Sequence, residues 1–139
     1  MARIVAIDYG EKRTGLAASD PMQIIANGIT TVSTKTELFP FLKEYISKEE
    51  VETIVVGFPK TLRNEPAIVT ALITPFVDKL RRMYPYIDIV YYDERFTSKM
   101  AFQTMIDSGI SKKARRNKAL IDQISATIIL QNYMESKRF

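Results

Sequence analysis

The fold is decided by the stretch RIVAIDYGEKRTGLAAS, Arg3 to Ser19. Arg3 to Tyr9 is rich in β-branched and apolar residues and stops at Gly10. Arg13 to Ser19 resumes in the same style after a short polar turn, with Lys12 and Arg13 at its tip. Short turns of this kind join antiparallel neighbours. Gly10 and Gly15, taken separately, predict a plain hairpin that needs positive φ, although glycine also lets backbone come close to a ligand or another chain. A third extended stretch, Ile24 to Val32, is interrupted by Asn27-Gly28.

Beyond these strands the period changes. Leu38, Phe41, Leu42, Tyr45 and Ile46 define one helical face, with Thr36 as the expected N-cap and Pro40 in the first turn or just past it. Val51 to Phe58 reads as a buried strand. Val69, Leu72, Ile73, Phe76, Val77 and Leu80 form a second helical stripe, in which Pro75 is expected to kink the helix or delay its start. Ile87 to Tyr92 is a strand, Ser98 to Asp107 a short helix ending before Gly109, and a last helix runs from about Asn117 into Tyr133. The order β-β-β-α-β-α-β-α-α implies a mixed five-stranded α/β sheet with helices on both faces. It is the order of the ribonuclease-H-like fold, and also of half an actin-like ATPase. No linker or repeat breaks the chain, so residues 1–139 are expected to form a single domain.

Composition narrows the chemistry. The 139 residues contain no cysteine and no histidine. That excludes disulfides, thiolate metal sites, the usual zinc sites, histidine-dependent triads and any imidazole base. No apolar run approaches the roughly 20 residues needed to cross a bilayer, and MARIVAID lacks a signal-peptide layout, so a cytoplasmic protein that makes no membrane contact is expected. Catalysis would fall to carboxylates, hydroxyls, amines and a bound ion. The net charge is +4 but uneven: residues 1–94 carry 11 basic and 13 acidic side chains, residues 95–139 carry 9 and 3. Lys112, Lys113, Arg115, Arg116 and Lys118 fall within seven residues. A basic face of this kind points to nucleic acid, with a solvated helix start as the plainer alternative.

Three acids are placed to meet. Asp8 ends the first strand and Glu94 follows the fifth, so both belong at the carboxyl edge of a sheet in which those strands are parallel. Asp122 interrupts the apolar face of the last helix, and Ser125 and Ala126 would let that helix lie close to the sheet. Carboxylates brought together repel, and Mg²⁺ or Mn²⁺ removes the problem, since such ions prefer carboxylate oxygens. Each acid also has a structural explanation: Asp8 as a turn residue, Glu94 paired with Arg95 or Lys99, Asp122 favouring a helix N-terminus. Thr97 and Ser98 resemble a helix N-cap pair beside the acids, where a phosphate could bind, and Arg95 is a candidate phosphate clamp.

The segments Ile4 to Asp20 (IVAIDYGEKRTGLAASD), Val55 to Pro59 (VVGFP), Tyr92 to Ala101 (YDERFTSKMA) and Ile121 to Met134 (IDQISATIILQNYM) resemble the bacterial YqgF family. These are small proteins of ribonuclease-H fold, described both as Holliday-junction-resolvase-like and as nucleases maturing the small-subunit ribosomal RNA precursor. The resemblance spans the chain in order. It implies an acidic, metal-binding triad at Asp8, Glu94 and Asp122 and substrate-side positions at Arg13, Arg95, Thr97 and Ser98. Lys60 to Ala67 lacks the glycines expected in that loop, and Ser125 stands where the family usually has alanine.

The expected function is a metal-dependent nuclease acting on structured RNA, with the ribosomal subunit precursor as partner and the cations from 112 to 118 positioning the backbone. Branched DNA is the alternative substrate; a resolvase would need an obligate dimer, RNA trimming only a monomer or weak homodimer. A non-enzymatic RNA- or ribosome-binding module is a third reading. An ATPase is a fourth, since Asp8-Tyr9-Gly10 resembles a phosphate hairpin, but such folds close two domains over one nucleotide.

Overall fold

A computed structural model of the chain describes residues 2–58, 70–93, 103, 106, 107, 109 and 117–137. Within them the elements run β1 (Arg3–Asp8), β2 (Arg13–Ser19), β3 (Ala26–Ser33), α1 (Leu38–Lys48), β4 (Val51–Phe58), α2 (Thr70–Met83), β5 (Asp88–Asp93) and α3 (Lys118–Lys137). Of the short helix expected over Ser98 to Asp107, only Gln103, Ile106 and Asp107 are described, and they are helical. Gly109 follows with φ +73°, its N–H bonded to the Ile106 carbonyl at 3.0 Å, as a helix stop should be.

The five strands form one sheet in the order β3-β2-β1-β4-β5. β1–β2 and β2–β3 are antiparallel, while β1–β4 and β4–β5 are parallel. Asp8, Phe58 and Asp93 therefore close three parallel strands at one edge. A bulge lies between Leu16 and Ala17, opposite Gly28 and Thr30 of β3.

Strand alternation divides the sheet between two apolar layers. Val5, Ile7 and Leu16 face α1 and α2, packing with Leu38, Ile73 and Leu80. Ile4, Ala6 and Ala17 face α3, packing with Ala126, Ile129 and Leu130. The α3 side is built from smaller residues, so that helix sits close to the strands.

One local expectation is corrected and another is narrowed. The N-cap of α1 is Glu37 rather than Thr36, and Glu37 makes no side-chain bond to the helix it caps. Its Oε1 instead accepts the Ser33 N–H at 2.7 Å, tying the end of β3 to the turn. Pro40 is the third helical residue, as expected. Pro75 lies inside α2, five residues beyond Thr70, so the helix does not wait for the proline to begin.

Candidate active site

Asp8 shares the parity of Ile4 and Ala6 and so stands on the α3 side of the sheet, at the carboxyl end of β1. Its partner across the antiparallel ladder is Gly15; such facing Cα atoms lie about 4.5–5.5 Å apart. Gly15 has no positive φ; among the five glycines only Gly109 does. The missing side chain makes room instead. A Cβ on Gly15 would overlap the backbone carbonyl of Asp122. The helix thus rests its Asp122 turn directly on Gly15, and Asp8 and Asp122, 114 residues apart, share one neighbour.

The start of α3 is fixed by polar contacts. Asn117 Oδ1 accepts the N–H groups of Ala119 and Leu120 at 3.0 and 3.3 Å, capping the helix from its side chain. Thr31 Oγ1 donates to the Ala119 carbonyl at 2.6 Å, fastening that turn to β3. Gly28 is a second seat: a Cβ there would come within 2.7 Å of Gln123 Nε2 and 3.0 Å of Thr127 Oγ1. Asp122 lies beyond the first turn, which carries no acidic residue, so stabilising the helix N-terminus does not explain it.

Arg13 shares the parity of Gly15 and also faces α3. Its Nε donates to Asp122 Oδ2 at 3.0 Å. The Asp122 side chain is 23% exposed and that of Arg13 41%. Burial pushes the Asp122 carboxyl above its ordinary value, while the Arg13 hydrogen bond and charge, and the charge of Lys118, pull it back. The tip that carries Arg13 is held by Thr34, whose Oγ1 donates to the Gly10 carbonyl and meets Thr14 Oγ1, both at 2.7 Å.

Asp8, Arg13 and Asp122 are therefore brought to one side of one sheet edge. Glu94, Arg95, Thr97, Ser98, Lys112, Lys113, Arg115 and Arg116 lie outside the described residues, as does the loop from Lys60 to Ala67. Among the described residues no three Asp, Glu, His or Cys side chains are grouped to hold a metal ion. The two acids present are nonetheless the hard oxygen donors that Mg²⁺ and Mn²⁺ take, and Asp122 is a half-buried carboxylate already compensated by a cation. The donor set fits such an ion.

Residues 2–136 match the family model RuvX, described as Holliday junction resolvase. The chain belongs to the RuvX family. Curated relatives agree in length and order. A protein of Flavobacterium johnsoniae is 55% identical over 139 residues, and one of Bacteroides thetaiotaomicron is 56% identical over 139, each covering both chains completely. Both carry the name "Putative pre-16S rRNA nuclease". Among solved structures, RuvC of T. thermophilus in complex with a Holliday junction substrate superposes with a TM-score of 0.60 at 17% identity, covering 99% of this chain and 96% of that one. The Fowlpox virus resolvase, in complex with Holliday junction DNA, gives 0.57 at 10% identity, covering 97% and 98%. At such identities these likenesses speak for the fold, which is ribonuclease-H-like as the strand order implies. RuvX membership sets the class of chemistry: the chain is a nuclease.

Sequence reasoning singled out Asp8, Arg13 and Asp122 as candidates but did not foresee how Gly15 and Arg13 link the strands to the Asp122 turn. The Arg13–Asp122 bond and the two glycine seats went unread. An isolated glycine inside a strand, as at Gly28, was the available signal, because it marks a close approach of another backbone.

Proposed function

We propose that this RuvX chain, working as one domain over residues 1–139, hydrolyses phosphodiester bonds in the precursor of small-subunit ribosomal RNA. Asp8, Glu94 and Asp122 hold Mg²⁺ or Mn²⁺. The observation that carries the reading is that Asp8 and the Asp122 turn both neighbour Gly15 at the carboxyl edge of the sheet. Val90 and Tyr92 of β5 pack on the α3 side, and Glu94 follows Asp93 directly in sequence, which supports it as the third carboxylate.

When bound, a hard divalent ion supplies Lewis-acid charge and water activation. The chain's own residues do the rest. The acids supply oxygen ligands and, with no histidine or cysteine in the sequence, bear the demand for anionic groups. Arg13 and Arg95 bind phosphate oxygens, and Thr97 and Ser98 orient the strand being cut. Lys112, Lys113, Arg115 and Arg116 hold the flanking backbone, a contact independent of base sequence. The relatives' names support ribosomal RNA as the substrate; the work then belongs in the cytoplasm beside the small-subunit precursor, with a monomer or weak homodimer sufficient. Branched DNA is the second reading, favoured by the family's description as a resolvase, and it calls for paired cuts by an obligate dimer.

A precursor transcript and a four-way DNA junction should be digested side by side with Mg²⁺, Mn²⁺ or EDTA. We expect metal-dependent cutting of the transcript, lost in Asp8→Asn while folding and RNA binding persist. Cutting by Asp8→Asn at the wild-type rate would falsify the site, and cutting of the junction alone would move the substrate to DNA.

A further inference from the structure

Asp122 and Arg13 are joined by a side-chain hydrogen bond across 109 residues of sequence. Neither partner has much freedom. β2 alternation keeps Arg13 on the α3 side, and Gly15 and Gly28 seat the helix that carries Asp122. The carboxylate is half-buried, and its desolvation is offset by a positive partner. Arg13 supplies it at contact distance, whereas Lys118, one helical turn away, acts on Asp122 through its charge and not through a hydrogen bond. The guanidinium engages Oδ2 at 3.0 Å, so an ion that takes Oδ2, or both carboxylate oxygens, would face it at repulsive range and must displace it.

We propose that Arg13 is the resident counter-ion of Asp122, and that the guanidinium and a divalent cation hold this carboxylate by turns. The inference rests on the reading of Asp122 as a metal ligand and adds an order of events to it. With no ion present, Arg13 neutralises Asp122 and keeps the half-buried carboxylate satisfied. Arrival of the ion releases the arginine, which stands at the tip between β1 and β2 and becomes available to a nucleic-acid phosphate. Guanidinium suits that second partner, since it stays charged and its planar donors match phosphate oxygens. Because couplings between ligands are reciprocal, metal should strengthen nucleic-acid binding through Arg13, and nucleic acid should strengthen metal binding equally.

The test is a calorimetric Mn²⁺ titration of the full chain without nucleic acid. Removing the competitor in Arg13→Gln should tighten Mn²⁺ by about 3–10-fold, the range of a partly buried ion pair. Lys118→Gln removes a charge facing the same carboxylate without touching the bond, and should change affinity by less than about twofold. Equal gains in the two variants, or no gain in Arg13→Gln, would overturn the exchange. A second readout needs no variant that must fold. The Arg13 Nε–H resonance of wild-type protein should move as Mg²⁺ is added and follow the same binding curve; a stationary resonance refutes the proposal. Mn²⁺ binding that Asp8→Asn abolishes but Arg13→Gln leaves unchanged refutes the exchange alone. No Mn²⁺ binding by wild type refutes the metal site, and the exchange with it.

Discussion

At the scale of single residues, the position that matters most to the site is one with no side chain. Gly15 touches Asp8 through the ladder and Asp122 through the helix, and the obstacle to a Cβ there is backbone, not a flexible side chain that could swing away. Gly15→Ala should therefore lift α3 or displace β2, costing about 1–3 kcal/mol, and cleavage should fall even where the protein still folds. Urea denaturation and a cleavage assay on the same preparation check both; wild-type values would mean that the helix has room to spare. Ser125 predicts the opposite sign. It is 1% exposed, and its Oγ has no hydrogen-bond partner. Ser125→Ala removes that cost with little loss of volume and should raise stability by about 1 kcal/mol, with cleavage unchanged. A lower denaturation midpoint would mean that the hydroxyl is satisfied. Neither effect is legible in the sequence. Local reading assigns Gly15 to a hairpin, because nothing within ten residues of it announces a helix that arrives more than 100 positions later.

At the scale of elements, period-two and period-3.6 patterns located the sheet and helices well where the residues are described. β1 and β2 follow from RIVAIDY and RTGLAAS, and β3, β5 and α3 differ from expectation only by a few residues at their ends. The misses are at junctions. Thr36 is the better capping residue in isolation, yet Glu37 takes the place because its carboxylate is recruited by the Ser33 N–H of the preceding strand. The turn between β2 and β3 shows the same local logic with a pH consequence. Asp20 accepts N–H bonds from Ile25, Ile24 and Met22 at 2.8, 2.7 and 3.1 Å, and these hold its carboxyl below the ordinary value of 3.8. A depressed folded-state pKa means that its contribution is present above the unfolded value and lost as pH falls through the folded one. Wild type should then lose melting temperature more steeply than Asp20→Asn as pH drops from about 5 toward 2. Parallel curves for the two proteins would show that the charge on Asp20 does nothing for the turn.

At the scale of the whole molecule, the proposed function gives chemistry and binding to different kinds of charge. Asp8 ends β1 and Asp122 lies near the start of α3, positions fixed by topology, and a half-buried carboxylate such as Asp122 works only if a cation offsets it. Four cations, Lys112, Lys113, Arg115 and Arg116, precede that helix in sequence and a fifth, Lys118, opens it, so the segment richest in positive charge leads directly into the turn that carries Asp122. Such an arrangement separates affinity from cleavage. Phosphate neutralisation releases counter-ions from the nucleic acid, and log affinity falls with log salt by about 0.7 per phosphate contact on a single strand and 0.9 on B-form duplex. Replacing Lys112, Lys113, Arg115 and Arg116 by glutamine should reduce that slope by about 3 units on a single strand and up to about 3.6 on duplex if all four contact phosphate. It should also weaken binding at low salt far more than at high salt. Cleavage at saturating substrate should survive, since the carboxylates are untouched. Binding measured by anisotropy across a salt series, in parallel with single-turnover cleavage, checks the division. An unchanged slope would make the cluster a solvated helix start, and a single-turnover rate that collapses while the slope holds would place these cations at the reacting phosphate instead of along its flanks.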